Sequence, residues 1–421
     1  MGSIKERYSV ICSEFQLPTN PYILQVLENT EGQKGEIVIK LTGNNRLLPV
    51  QMLTDEDALA LSKTLCNNVS VKALDLRYNK ITDEGAKHLA DLLQENVALQ
   101  SLNLMSNDIT ADGAQFLGKS LHRNKTLKAL RMTGNKMGNR GAMHLASMLQ
   151  INSSLDDLDI SDCDLATQSL IAFAIVLSSN KSVRAINLSR PLLFSQQEET
   201  TLHLARMLTV NQHLQELHLG KHAMRDSGVE RLCEALRENC TLRYLDLRCN
   251  SIARDGARHL ADWLKQNTSL EILDLSSNRI EDEGAAHLSQ ALALQNSTLR
   301  ALSIPSNSIG SSGLVLLAKA MSTNFSLSHI YIWGNKLEEP ACVAFASLIK
   351  SGRLREEDTD VSPYEVDGRV FLAEVFHGLR RHYYWTPSIG EDGDPASNSA
   401  LTVSSEARFY EGTKGCIAPS D

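Results

Sequence analysis

The sequence holds no apolar run of the roughly 18 residues that a membrane-spanning helix needs, and its start, Met1-Gly2-Ser3-Ile4-Lys5-Glu6-Arg7, leads into no apolar stretch of the kind a secretory leader carries. A chain that stays inside the cell is expected. Glu6 stands where myristoylation wants Ser or Thr, and Cys416 is sixth from the end rather than fourth, so a lipid anchor is not expected either. The eight cysteines include no C-x-x-C pair, which removes the usual zinc and thioredoxin-like spacings and points to a reducing compartment. H-E-x-x-H, G-x-S-x-G, the Walker A motif and G-x-G-x-x-G are all missing, so nothing points to catalysis, a metal or a cofactor. Basic excess is missing too: 50 acidic against 42 basic side chains leave a net charge of −8, which argues against wrapping nucleic acid or lying on an anionic membrane.

What is present is a repeat. At 421 residues the chain exceeds the roughly 250 to 300 at which one compact core stops growing. The segment Val71-Lys-Ala-Leu-Asp-Leu-Arg-Tyr-Asn79 returns from residues 99, 127, 155, 183, 214, 242, 270, 299 and 327, and a degenerate copy starts near Glu36. The period is 28 residues, with three extra in the unit from Val183 and one in that from Leu270. Positions four and six are apolar throughout, from Leu74/Leu76 to Ile330/Ile332, a period of two that predicts a short strand. The second half, as in Ala86, Leu89 and Leu93, follows a helical face. Position nine is Asn79, Asn107, Asn135, Asn250, Asn278, Asn307 and Asn335, suited to bonding turn backbone once per repeat.

This pattern, L-x-x-L-x-L-x-x-N/C-x-L with a helix in each 28-residue unit, resembles the ribonuclease-inhibitor-like leucine-rich-repeat family. The resemblance implies an α/β solenoid, a horseshoe with parallel strands on its concave face and helices on its convex face. The expected organisation is an N-terminal helical cap over 1–35, the leucine-rich-repeat domain over 36–354, a C-terminal cap over 355–385 and a tail without fixed structure over 386–421. Residues 353–363 read as a linker, and Arg369–Val375 with Leu379–Trp385 as two strands around Phe376-His377-Gly378.

Several recurring residues have structural explanations. His88, His144, His203, His259 and His287 occupy one helix position and mark phase. Asn68, Asn124, Asn152, Asn180, Asn239, Asn267, Asn296 and Asn324 form N-x-S/T sequons, but all lie three residues before a repeat start, where a left-handed helix C-cap is expected. Cys163, Pro191 and His222 interrupt the position-nine Asn series, and the insertion after Pro191 predicts a bulge usable as a binding loop.

Positions three, five and seven point into the inner face, where a protein partner is expected. Asp157, Asp159, Asp246 and Asp274 make its centre acidic, with Asp162 and Glu216 nearby and Arg77, Arg131 and Arg248 interspersed, a patch suited to a partner with basic segments. His329, Tyr331 and Trp333 share that face in the last strand, as an aromatic docking site or as a surface that the C-terminal segment folds back over. Arg380-Arg381-His382-Tyr383-Tyr384-Trp385 mixes bases with aromatics, as single-stranded nucleic acid binders do, though direct nucleic-acid binding is not expected of this acidic chain.

Stretches inside and outside the repeats, Gly43-Asn-Asn-Arg46-Leu47, Leu130-Arg-Met-Thr-Gly-Asn135, Leu149-Gln-Ile-Asn-Ser-Ser154, His329-Ile-Tyr-Ile-Trp-Gly-Asn335, Val366-Asp-Gly-Arg369 and His382-Tyr-Tyr-Trp385, resemble one vertebrate family of leucine-rich-repeat proteins. That resemblance implies a non-enzymatic protein of differentiating germ and stem cells, and the expected role is that of a monomeric adaptor or scaffold. It would reside in nucleus, nucleolus and cytoplasm, with nucleophosmin-like nucleolar partners and a link to ribosome biogenesis. The alternatives are a structural part of a cilium or flagellum, or a regulator of a basic enzyme or small GTPase. Residues 386–421 lack the acidic run of Ran GTPase-activating proteins.

Overall fold

The computed structural model describes residues 3–30, 35–45, 48–193 and 198–375. The chain divides into two units, with the boundary between Ser195 and Gln196. The first contains six parallel strands in chain order, β1 (Ile37–Lys40), β2 (Val71–Asp75), β3 (Ser101–Asn103), β4 (Ala129–Arg131), β5 (Asp157–Asp159) and β6 (Ala185–Asn187). The second contains five, β7 (Glu216–His218), β8 (Tyr244–Asp246), β9 (Ile272–Asp274), β10 (Ala301–Ser303) and β11 (His329–Tyr331), then the antiparallel hairpin β12 (Val361–Val366) and β13 (Arg369–Glu374). A helix follows each of β1 to β11, so both units repeat strand, turn, helix and turn.

Register follows the repeat: Leu74 pairs with Leu102 and Leu102 with Leu130, while in the second unit Leu245 pairs with Leu273. Position-four and position-six residues such as Leu74, Leu76, Leu273 and Leu275 are fully buried. The helices contribute Ala86, Leu89 and Leu93 and their equivalents to the same core. Burying each such leucine is worth about 1.5 to 3 kcal/mol.

Three ladders of polar side chains join neighbouring repeats. At position nine, the Asn107 Nδ2 donates to Leu76 O (2.9 Å) and Leu104 O (3.0 Å), while its Oδ1 accepts from Ile81 N (3.1 Å). Cys163 keeps part of that role, its Sγ donating to Met132 O at 3.0 Å. The sequon asparagines make the second ladder, and the expected left-handed cap is not found. Asn324 has a φ of −85°, Asn96, which holds the same slot without a Ser/Thr, has −77°, and none of the described sequon asparagines has positive φ. The side chain acts instead: Asn324 Oδ1 accepts from Ser326 N and Leu327 N, and its Nδ2 donates to Leu292 O and Asn296 O, both at 2.7 Å. The third ladder runs along helix starts, where Asp83 Oδ1 accepts from Thr110 N and Gly113 N of the next repeat, and Asp282 Oδ1 from Gly310 N and Gly313 N.

Each end of the array carries its own device. In the first unit, helices Ile4–Glu14 and Pro21–Glu28 precede β1, and Asn20 both caps the second, accepting from Tyr22 N, and donates to Asp57 Oδ2 in the next helix. In the second unit, residues 353–363 are ordered rather than a linker. Arg353 donates to Leu327 O (2.7 Å) and to Asn324 O, the second being a carbonyl that a further ladder asparagine would reach. A helical turn, Glu356–Asp358, leads to Thr359, which bridges Ile330 in parallel fashion. Strand β13 pairs with β12, and Leu372 seals the hairpin against the helix Glu339–Lys350. The expected strand Leu379–Trp385, the tail from Thr386 and part of the insertion after Pro191 lie outside the described residues.

Candidate inner-face interface

Alternation along each strand puts positions three and five opposite the leucine face. Position five has a task the charge pattern concealed. Asp75, Asn103, Asp159, Asn187, Asp246 and Asp274 each accept, through Oδ1, the backbone N–H two residues on, at 2.9 to 3.2 Å. These are Asx turns that close the strand end, and Asn serves as well as Asp. Of the four candidate acidic residues, Asp159, Asp246 and Asp274 therefore brace the scaffold and are buried, contrary to the expectation of an acidic patch open to a basic partner. Asp157, at position three of β5, is the half-buried one, and it faces Arg131 Nη2 at 3.6 Å. Arg190 similarly reaches Asp162 at 3.1 Å, so the first unit's inner face carries paired charges of both signs.

In the second unit, His218, Tyr244, Asp246 and Arg248 form a packed group. The Asp246 carboxylate bonds the Arg248 guanidinium and lies 3.3 Å from His218 Nδ1, and the His218 ring meets Tyr244 edge-on with centroids 4.7 Å apart. Burial works against the charged form of Asp246, but Arg248 and His218 outweigh it and hold its carboxyl well below the usual range. Burial likewise disfavours protonated His218, yet the Asp246 contact prevails and its pKa is raised. Asp274 behaves oppositely: burial and the neighbouring Asp246 charge push its pKa up, with Ser276 N and Oγ its partial compensation.

The last strand does not present an open aromatic triad. Tyr331 is 1% exposed, and its hydroxyl has no hydrogen-bond partner among the described residues. His329 Nε2 is tied to Asp358 Oδ1 at 2.9 Å, and Trp333, half-buried, donates its backbone N–H to Asp360 Oδ2 at 3.0 Å. The turn after the last repeat thus supplies two carboxylates to β11, a role that sequence reading missed because Asp358 and Asp360 sit in a stretch with no repeat phase. Tyr244 and His218 were also missed, although their position-three and position-five slots would have found them. Among the described residues there is no group of His, Cys, Asp and Glu arranged to hold a metal.

The repeats also match known families. A model of the TMOD/LMOD leucine-rich domain matches residues 44–155, and a leucine-rich-repeat model matches 210–233, 238–261, 266–289 and 295–318. Over 96% of its length the chain is 56% identical to leucine-rich repeat-containing protein 34 of Rattus norvegicus, covering 98% of that protein. The chain belongs to the leucine-rich repeat-containing protein 34 family. Its relative in Homo sapiens is 56% identical over 96% of this chain and 88% of that one, and its relative in Mus musculus 50% identical over 96% and 98%. Similar solved structures include leiomodin-1 actin-binding site 2 (TM-score 0.31, 24% identity, 39% of this chain and 90% of that one) and a chain from the yeast Rad7–Elc1 complex (TM-score 0.43, 14% identity, 79% and 88%). As a family of leucine-rich-repeat proteins, it supports a role in protein binding. No helix among the described residues is long and apolar enough to cross a membrane.

Proposed function

We propose that the chain is a non-enzymatic scaffold that binds protein partners through the inner strand face, favouring partners with basic segments. The observation that carries this reading is the register: within each unit, parallel pairing sets the position-three and position-five side chains of successive strands side by side in a continuous face, which in the first unit carries Ser101, Asn103, Arg131, Asp157 and Asp159. Such a surface suits an extended protein contact better than a small ligand, which is held in a concave and mostly apolar pocket. Asp157 and Glu216, at position three of β5 and β7 and half-buried, are the carboxylates best placed to meet a partner, because the Asx-turn aspartates are committed to their own backbone. The resemblance to germ- and stem-cell proteins supports nucleolar partners of the nucleophosmin kind, a nuclear and cytoplasmic location and a part in differentiation and ribosome biogenesis.

The test is quantitative affinity purification from stem-cell extract with the full chain, comparing wild type with an Asp157→Asn/Glu216→Gln pair. Partners enriched in basic segments should be recovered at low salt, fall off as salt rises and drop severalfold with the pair. Recovery of no specific protein at low salt overturns the scaffold reading, and recovery indifferent to both salt and the pair overturns the basic-partner reading.

A further inference from the structure

The terminal strands of the two units are finished differently. In the second unit the outer edge of β11 is closed: Thr359 bridges Ile330, and the Asp360 carboxylate accepts from Ile332 N and Trp333 N. In the first unit β1 pairs, among the described residues, only with β2. Ile37 N donates to Ser70 O at 2.9 Å and Leu41 N to Asp75 O at 2.8 Å, so every second residue turns its backbone groups to β2. Alternation turns those of Val38 and Lys40 the other way, and among the described residues no group bonds them. The helix Pro21–Glu28 packs against β1 without doing so.

An open edge is a template for a further strand, and proteins usually blunt it with proline, a bulge or a charge. Strand β1 has no proline, and its register irregularity, between Ile37 and Val38, skips Lys72 of β2 and leaves β1 itself unbroken. Glu36, Val38 and Lys40 are exposed, Val38 at 47%, while Ile37 and Ile39 between them are buried. This order, negative, apolar and positive at every second residue, is complementary to its own reverse. In an antiparallel pair centred on Val38, Lys40 stands directly opposite Glu36 of the partner subunit, and the two valines face each other, at the roughly 5 Å Cβ separation where cross-strand pairs interact. A shift of two residues opposes Lys40 to valine and loses both charge pairs. Lys40 thus discourages most added strands but is matched by a second copy of its own.

We propose that two copies of this chain pair antiparallel through the free edge of β1, with Glu36 of each beside Lys40 of the other. This goes beyond the partner-binding reading and does not rest on it. The pairing is two-fold about Val38, and the backbone groups that β2 leaves free on each strand bond those of the other. Directly opposed residues of paired strands share a face, so the position-three and position-five side chains near β1 in both copies lie on one side, and a partner with two binding segments gains from holding both. A strand pair this short buries less than the roughly 1,200 Å² of a standard interface, so the dimer should be weak, with a Kd of about 10 to 100 µM.

Sedimentation equilibrium of the full chain in reducing buffer, from about 1 to about 300 µM so as to bracket that affinity, tests it. The average mass should rise from one chain toward two. Glu36→Lys alone and Lys40→Glu alone each oppose like charges and should weaken association about tenfold or more. The two changes together, or an equimolar mixture of the two single variants, should restore it. Val38→Pro removes an edge donor that pairing with β2 does not use and should abolish association at an unchanged melting temperature. If that variant melts lower, the exposed charge variants decide alone. A mass that stays at one chain throughout overturns the proposal, and so does association that ignores the single charge variants or that the double swap fails to restore.

Discussion

At the residue scale, the asparagines explain why the repeat tolerates so much variation elsewhere. Asn107 serves three carbonyls and one N–H, all buried, so Asn107→Ala should cost about 2 to 4 kcal/mol by leaving several groups unsatisfied. Urea denaturation should show it as a lowered midpoint with an unchanged slope. His218 gives a pH signature. Its folded-state pKa is raised above 6.5, so the stabilisation it lends is complete below 6.5 and is lost as pH rises through the folded value. The groups that set this are Asp246 and Glu216, which favour the proton, and Arg248, which opposes it. Wild type should therefore be more stable relative to His218→Gln at pH 6 than at pH 9, and equal differences at both would place the histidine outside the linkage. Asparagine at position nine was legible in the sequence, whereas the work of the sequon asparagines was not. Phase locates a cap, but only the backbone shows that Asn96 and Asn324 stay extended and act through their amides.

At the scale of the element, helix starts are fixed by contact with the preceding repeat rather than by propensity. Gly113 N–H donates to Asp83 Oδ1, and a Cβ there would lie 2.6 Å from both Asp83 Oδ1 and Ile109 Cγ2. Alanine gains about 1 kcal/mol of intrinsic helix preference over glycine. Gly113→Ala should nevertheless lower the melting temperature, because Asp83 must give up its place. At the far end, Asp360 bonds two N–H groups of the last repeat at 2.8 and 3.0 Å. Asp360→Ala should raise hydrogen exchange at Ile332 and Trp333 at least about tenfold, with smaller changes toward β9. The strands and helices of the repeats were legible because periods of two and 3.6 survive in every copy. The cap was legible only as a change of composition, since residues 353–375 repeat nothing.

For the molecule as a whole, stability in a repeat array is a sum of unit and neighbour terms, so damage stays near its origin. Leu273→Ala, in the core behind β9, should cost about 2 to 5 kcal/mol. Exchange should rise in β8 and β10 well before it rises in β2 or β3, and a uniform rise would mean the array behaves as one cooperative block. The same additivity leaves the inner face free to vary, since its side chains sit opposite the leucines that hold repeats together. An acidic face was the sequence-level expectation there. Three of its four candidate aspartates turned out to close their own strand ends, and the charges still available to a partner are fewer and of mixed sign.

The sequence by itself determined the leucine-rich-repeat fold, the strand order and register within each unit and the core, because all of these follow from local periodicity repeated in phase. The family, too, was visible in short stretches such as His329-Ile-Tyr-Ile-Trp-Gly-Asn335. Only the tertiary structure decided which polar residues were free to act. Whether Asp274 meets solvent or Tyr331 meets a partner depends on groups one repeat away or beyond the last repeat, such as Ser303, Asp358 and Asp360, and no spacing rule links residues that come together only when strands pair.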